Sequence, residues 1–185
     1  MRWSTTLTLG LMATLLLPVP AATAAHQLPS RERWHADVRD VMHGSRAYLV
    51  GRARTAASSE RLAVNLDIDN SSLATGYSPG RAMKPVLRFT RTAHAQGIAI
   101  FFNTGRTAEA EAATLHQLRR AGYHVDRLCL RRSGESLVEG KQRCRAEFVA
   151  AGYTIVANVG NRRTDFVGGD YERRFKLPSY GNRLS

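Results

Sequence analysis

Residues 62–71 read Leu62-Ala63-Val64-Asn65-Leu66-Asp67-Ile68-Asp69-Asn70-Ser71, a short apolar run that ends in two carboxylates one residue apart. A run of this length, bounded by polar residues, suits a strand buried on both faces. Two aspartates at its exit can reach one crevice as the chain leaves the sheet. Outward from this stretch the pattern repeats. Residues 98–102, 125–130 and 153–159 are further buried-type strands, and 174–177 suits a short fifth. Helices are expected over 85–96, 107–121 and 140–151, each followed by a stop glycine, Gly97, Gly122 or Gly152. Strands alternating with such helices predict right-handed crossovers. The fold class is therefore α/β, a doubly wound three-layer α/β/α arrangement around a mainly parallel sheet. In such sheets the chemistry lies at the carboxyl ends of the strands.

The polar residues at those ends follow an order. After the second strand, Asn103-Thr104-Gly105-Arg106 offers a hydroxyl, a flexible amide and a guanidinium at an expected helix N-terminus, which can cradle a phosphate. After the fourth comes Gly160-Asn161-Arg162-Arg163-Thr164-Asp165, and Lys141 starts the helix between the third and fourth strands. Each fragment alone has a plain reading. Asp67 and Asp69 suit a solvated turn, Thr104 a helix cap, Lys141 a surface cation, and Arg106 an ion pair as readily as a substrate contact. All four in this order, each at or beside a strand exit, form a specific signal.

Length and composition bound the rest. With 185 residues, 43% of them apolar, the chain can build one compact core of its own. Twenty-seven Lys and Arg against fifteen Asp and Glu give a net charge of +12, a field that attracts polyanions. Lysine is scarce: only Lys84, Lys141 and Lys176 occur. The basic pairs Arg131-Arg132 and Arg162-Arg163 lack interleaved aromatics, so no specific nucleic-acid site is expected. The six histidines show no ligand or triad spacing, and His94, His116 and His124 read as surface or packing residues.

The first residues, Met1-Arg2-Trp3, an apolar run over 7–19 and Pro20-Ala21-Ala22-Thr23-Ala24-Ala25, read as a secretory signal peptide over 1–25. The run is shorter than the roughly 20 residues of a membrane span, so no stable anchor is expected after cleavage. Export would place Cys129 and Cys144 in an oxidising compartment, where pairing is favoured over two free thiols. Residues 26–61 form an N-terminal helical segment and connector, with Trp34, Val38, Val41, Met42, Tyr48 and Leu49 at three- and four-residue steps. Residues 62–185 form the core. Oligomeric state leaves no readable mark.

From Leu62 to about Tyr180 the chain resembles the haloacid dehalogenase (HAD) superfamily in its acid phosphatase branch, which holds plant vegetative storage proteins and secreted bacterial acid phosphatases. Asp67-Ile68-Asp69 is similar to the first motif, Phe102-Asn103-Thr104-Gly105-Arg106 to the second and Lys141 to the third. Asn158-Val159-Gly160-Asn161 through Asp165 is similar to the fourth, and Phe175-Lys176-Leu177-Pro178 also matches the branch. The resemblance implies a HAD-like core with at most a minimal cap, and a Mg²⁺-dependent phosphomonoesterase acting on a small phosphorylated substrate. It casts Asp67 as nucleophile and Asp69 as general acid and base. Thr104, Gly105, Arg106 and Lys141 would bind the substrate phosphate. Asp67, the Asp69 carbonyl, Asn161 and Asp165 would bind Mg²⁺.

Two positions depart from the pattern: Ser71 stands where Thr is commoner, and Asn161 where an acidic metal ligand is usual. The neutral amide predicts weaker metal affinity, with Asp165 carrying more of the charge. The short segments between the motifs leave the crevice fairly open, with Tyr77 and Trp34 as candidate lid aromatics. A catalytically weak binding or storage protein on the same fold is the first alternative. A basic polyanion-binding module is the second.

Overall fold

The computed structural model describes Met1 and residues 28–184. The signal-peptide expectation therefore lies, Met1 apart, outside the described residues. Five strands form one sheet: β1 (Arg61–Leu66), β2 (Ala99–Thr107), β3 (Arg127–Arg131), β4 (Tyr153–Gly160) and β5 (Arg173–Lys176). Their order is β3-β2-β1-β4-β5, and every neighbouring pair is parallel. β1 is thus central, with β2 and β4 on either side. The order reverses at β1, which makes its carboxyl end the switch point where such sheets bind ligands.

Alternation along the strands sorts the core into two faces. Leu62, Val64 and Leu66 of β1, with Ile100 and Phe102 of β2, join the larger cluster. That cluster packs against α1 (Arg31–Val41), α2 (Ser45–Arg54), α3 (Lys84–Ala95) and α4 (Glu111–Arg120) through Trp34, Leu49, Phe89 and Leu118. Ala63 and Phe101 point the other way, onto Cys144 and Phe148 of α5 (Leu137–Ala150). The layers are therefore unequal, with α5 alone facing the second side.

The N-terminal periodicity suggests one continuous helical face, but the chain forms two helices. Gly44 takes the left-handed φ of 70° between them, which ends the α1 turn and restarts the helix at Ser45. β2 runs five residues past the expected Phe102, to Thr107. Arg131 holds it extended: its Nε donates to the Gly105 carbonyl at 3.1 Å, and Thr107 pairs in register with Arg131. Thr104–Arg106 consequently sit on a strand end with a register shift, not at a helix N-terminus as expected. A 3₁₀ turn over Ala108–Ala110 separates them from α4.

α5 starts three residues before the expected Gly140. Ser136 and Glu139 form a reciprocal capping box, with Ser136 Oγ accepting from Glu139 N at 3.2 Å and Glu139 Oε2 from Ser136 N at 2.7 Å. A disulfide between Cys129 of β3 and Cys144 fastens the same helix to the sheet. Cys144 lies three residues after Lys141, hence on the same helical face. Closing a loop of 15 residues should contribute about 3 kcal/mol. The Cys129→Ala/Cys144→Ala variant is expected to lose about that much in a denaturant titration. A loss under about 1 kcal/mol would show that the bridge constrains the unfolded chain little.

Candidate active site

Asp67 leaves β1 with its amide donating to Val159 O of β4 at 2.8 Å. A tight turn follows, in which the amides of Ser71, Ser72 and Leu73 all donate to Ile68 O. The turn brings Ser71 Oγ to 2.8 Å from Asp67 Oδ2 and Ser72 Oγ to 2.7 Å from the Asp67 carbonyl. Asn70 takes a φ of 57° here, and its Oδ1 accepts from Gly76 N at 2.6 Å.

Facing Asp67 across the sheet end is Lys141. Its Nζ donates to Asp67 Oδ1 at 2.6 Å and to Asn103 O at 2.6 Å, and forms an ion pair with Asp165 Oδ1 at 3.0 Å. Two hydrogen bonds and one ion pair thus surround the ammonium. Asp67, Lys141 and Asp165 are 9%, 4% and 2% exposed, so these charges are largely removed from water. Burial pushes the Asp67 carboxyl up to about 6, Asp165 adds to the rise, and Lys141 opposes it. For Lys141 burial disfavours the charge, but Asp67 and Asp165 outweigh it and hold the ammonium above its ordinary value. One cation between two carboxylates leaves the cluster with a formal surplus of one negative charge.

The remaining contacts fix the cluster in place. Asn103 Nδ2 donates back to Lys141 O at 2.9 Å. Asn65 of β1 donates to Asn158 Oδ1 of β4 at 2.7 Å, and Asn158 Nδ2 donates to the Asp165 carbonyl at 2.7 Å. Asp165 Oδ2 accepts from Arg162 N at 2.8 Å. Gly160 permits this approach, because a side-chain carbon there would lie 2.6 Å from Asp165 Cβ and Cγ. Arg145, fully buried one turn after Lys141, donates to the carbonyls of Gly169 at 2.8 Å, Asp165 at 3.0 Å and Val167.

Asp69 stands apart from this cluster. Arg106 grips it with Nε to Oδ2 at 2.9 Å and Nη2 to Oδ1 at 2.7 Å, and Thr75 Oγ1 donates to Oδ1 at 2.8 Å. Burial alone would raise this carboxyl, but the Arg106 contacts hold it below its ordinary value. Of the two readings of Arg106, the ion pair is the one present. Thr104 is buried, and its Oγ1 accepts from Arg106 N at 3.2 Å. Gly105 lies close to α5, where a side-chain carbon would come within 2.6 Å of Leu137 Cδ2.

Among the described residues no group of three His, Cys, Asp or Glu forms a ready-made metal cage. Mg²⁺ characteristically uses one or two carboxylates with water and substrate, so such a cage is not its signature. Asn161 bears directly on the fit. Its Nδ2 donates to Leu184 O at 2.7 Å, while its Oδ1 is buried with no donor. Lys176, which burial holds below its ordinary basicity, pins the Asn161 carbonyl and donates to Leu177 O at 3.1 Å. An orphaned amide oxygen beside a surplus carboxylate suits a divalent cation. Asp165 Oδ1 is likewise buried without a hydrogen bond, facing only the Lys141 ammonium at 3.0 Å, while Oδ2 accepts from Arg162 N.

Several contributors carry no role in the sequence reading. Asn65 and Arg145 are polar residues inside otherwise apolar patterns, and Ser136-x-x-Glu139 is a legible cap. Trp34 is fully buried and stacked at 4.7 Å on the half-buried Tyr77, so Trp34 belongs to the core and not to a lid. Arg131 holds the β2 end, and Arg132 pairs with Glu147 at 2.9 Å.

A doubly wound parallel sheet, with paired aspartates leaving its central strand and a buried lysine reaching them from a crossover helix, defines a HAD-like α/β protein. The sequence profile of the HAD superfamily, subfamily IIIB (Acid phosphatase), matches residues 75–183, more than half of the chain. The protein belongs to that family. The match includes Thr104, Lys141, Asn161 and Asp165 and begins after Asp67 and Asp69. The chain is 36% identical over 90 residues to the Stem 28 kDa glycoprotein of Glycine max, covering 45% of this chain and 35% of that protein. It is 34% identical over 88 residues to Acid phosphatase 1 of Solanum lycopersicum, covering 45% and 34%. These matches span about a third of each relative's length. The class C acid phosphatase from Bacillus anthracis, solved with tungstate bound, superposes with a TM-score of 0.67 at 17% identity, over 84% of this chain and 81% of that one. That likeness establishes the fold.

The raised Asp67 carboxyl has a pH signature. Its folded value, about 6, exceeds its ordinary 3.8. Its contribution to stability is therefore fully present below about pH 4 and lost as pH rises through about 6. In metal-free protein, the change in Tm caused by Asp67→Asn, relative to wild type at the same pH, should be more favourable at about pH 8 than at about pH 4. An equal shift at both pH values would show that Asp67 is not held protonated by burial.

Proposed function

We propose that the protein is an exported, Mg²⁺-dependent phosphomonoesterase of the acid phosphatase type, acting through an aspartyl-phosphate on Asp67. The observation that carries this is the buried Lys141 ammonium on Asp67 Oδ1 at the carboxyl end of the central strand. Lysine there orients the nucleophile, opposes the burial that favours its protonated form and offers charge to an incoming phosphate. The tungstate, a tetrahedral oxyanion, bound by a protein of the same fold supports a phosphate-sized site. The signal-like segment over 1–25 supports export.

Asp67 attacks phosphorus, an O–P bond to its carboxylate forms, and the ester P–O bond breaks. Asp69 gives its proton to the leaving alkoxide, then takes one from the water that hydrolyses the acyl phosphate. For this Asp69 must first gain a proton, and its grip by Arg106 opposes that. A substrate phosphate competes for the Arg106 guanidinium, loosens the pair and lets the Asp69 carboxyl rise toward the acid role. Thr104, the Gly105 amide and Lys141 hold the non-bridging oxygens. Mg²⁺, when bound, offsets repulsion between the nucleophile and a phosphate dianion. Asp67, the Asp69 carbonyl, Asn161 and Asp165 would hold it, Asp165 also pairing with Lys141.

Asn161 favours a second reading, a weakly catalytic or idle binding protein related to plant storage glycoproteins, because a neutral amide adds no charge to a metal site. Hydrolysis of 4-nitrophenyl phosphate separates the two. The enzyme reading expects turnover that a chelator removes and that falls below about 1% in Asp67→Asn. No turnover at any acidic or neutral pH would sink it. Asn161→Asp is expected to lower the half-saturating Mg²⁺ concentration about tenfold. An unchanged Mg²⁺ dependence would remove Asn161 from the metal shell.

A further inference from the structure

A groove of about 1370 Å³ lies beside the catalytic crevice, between α1, the 74–82 loop, the start of α3 and the end of α4. Six exposed cations line it: Arg31, and five more in Arg39, Arg81, Lys84, Arg88 and Arg120. Among the described residues none of the five has an ion-pair partner. The one acidic residue on its walls, Glu32, is taken by Arg31 at 3.4 Å. Residues 2–27 contain no Asp or Glu that could neutralise the cations. Their field is felt inside the protein: His35 on the same wall is held below its ordinary basicity, first by burial and then by Arg31, Arg39 and Lys84. Uncompensated like charge is a cost to folding that an anionic ligand removes.

The groove is joined to the catalytic residues at two points. Gln117 on its wall accepts from Arg106 Nη1 at 2.9 Å, and Arg106 grips Asp69. Ala74 on the opposite wall precedes Thr75, whose hydroxyl donates to Asp69. A molecule with one phosphate at Asp67 therefore extends its leaving-group side along Asp69 into the groove. No Phe, Tyr or Trp lines the walls, whose only rings are the imidazoles of His35 and His116, so the groove offers a phosphate more to bind than it offers a nucleobase to stack on.

We propose that this groove is a second anion subsite, and that the preferred substrates are small, non-aromatic molecules carrying more than one phosphate, such as sugar or polyol bisphosphates. The substrate assignment rests on the phosphomonoesterase reading above; the subsite itself does not. Arg88 and Arg120 contact the phosphate that is not hydrolysed.

The test compares fructose 1,6-bisphosphate with fructose 6-phosphate. Calorimetry on full-length Asp67→Asn protein should show the bisphosphate binding about tenfold tighter or more, the advantage disappearing when Arg88→Ala and Arg120→Ala are added. On the active background the same two substitutions should lower kcat/KM for the bisphosphate by a similar factor and leave fructose 6-phosphate unchanged. Equal affinity for the two sugars, or a preference that survives the substitutions, overturns the subsite. A single-stranded oligonucleotide that binds more tightly than the bisphosphate, and loses that affinity in the same variant, overturns the small-molecule assignment. Absence of turnover by wild type overturns the hydrolase reading, while a binding preference lost in the variant still supports the subsite.

Discussion

The ammonium of Lys141, buried between Asp67 and Asp165, is the constraint around which the rest of the structure is arranged. A buried charge is tolerated only when its partners are placed accurately, and removing one partner typically costs about 3–5 kcal/mol. Each neighbouring feature supplies part of that placement. The capping box sets where α5 begins, the disulfide ties the same helical face to β3, and Asn103 exchanges hydrogen bonds with Lys141 in both directions. Gly160 leaves the space that Asp165 fills. Arg145 and Asn158 hold the Asp165 backbone from two sides. Positioning and chemistry thus use the same contacts.

Much of this was legible in the sequence because it follows from strand exits. Apolar runs locate the strands, stop glycines locate the helix ends, and a doubly wound sheet brings the exits of β1, β2 and β4 together. What escaped depends on tertiary partners. β2 extends to Thr107 because Arg131, distant in sequence, holds Gly105. Arg106 pairs with Asp69 across 37 positions, a distance over which spacing carries no register. Arg145 reads as one more cation in an arginine-rich chain until its three carbonyl acceptors are seen. Ser136-x-x-Glu139 is the opposite case, a local signal sufficient in itself to place the start of α5.

The net charge of +12 divides into parts with different work. Some arginines are structural: Arg52 binds Glu60 and Glu172, Arg143 binds Glu135, and Arg145 binds only carbonyls. Each of the three lysines has a place near the crevice. Lys141 is inside it, Lys176 pins the Asn161 backbone, and Lys84 lines the adjoining groove. Five cations without an ion-pair partner among the described residues, Arg39, Arg81, Lys84, Arg88 and Arg120, share the groove on one side of Asp69, where the proposed leaving group would emerge. Charge that composition reports only as a total is therefore directional in the fold.

The account depends on Asp67 becoming covalently phosphorylated while Lys141 holds it. The direct measurement is to mix the protein with a phosphomonoester and Mg²⁺, quench in acid within the first turnover, and map covalent phosphate by mass spectrometry. Phosphate on Asp67 is the predicted result. Turnover with no covalent phosphate at Asp67, or phosphate on another side chain, would contradict it.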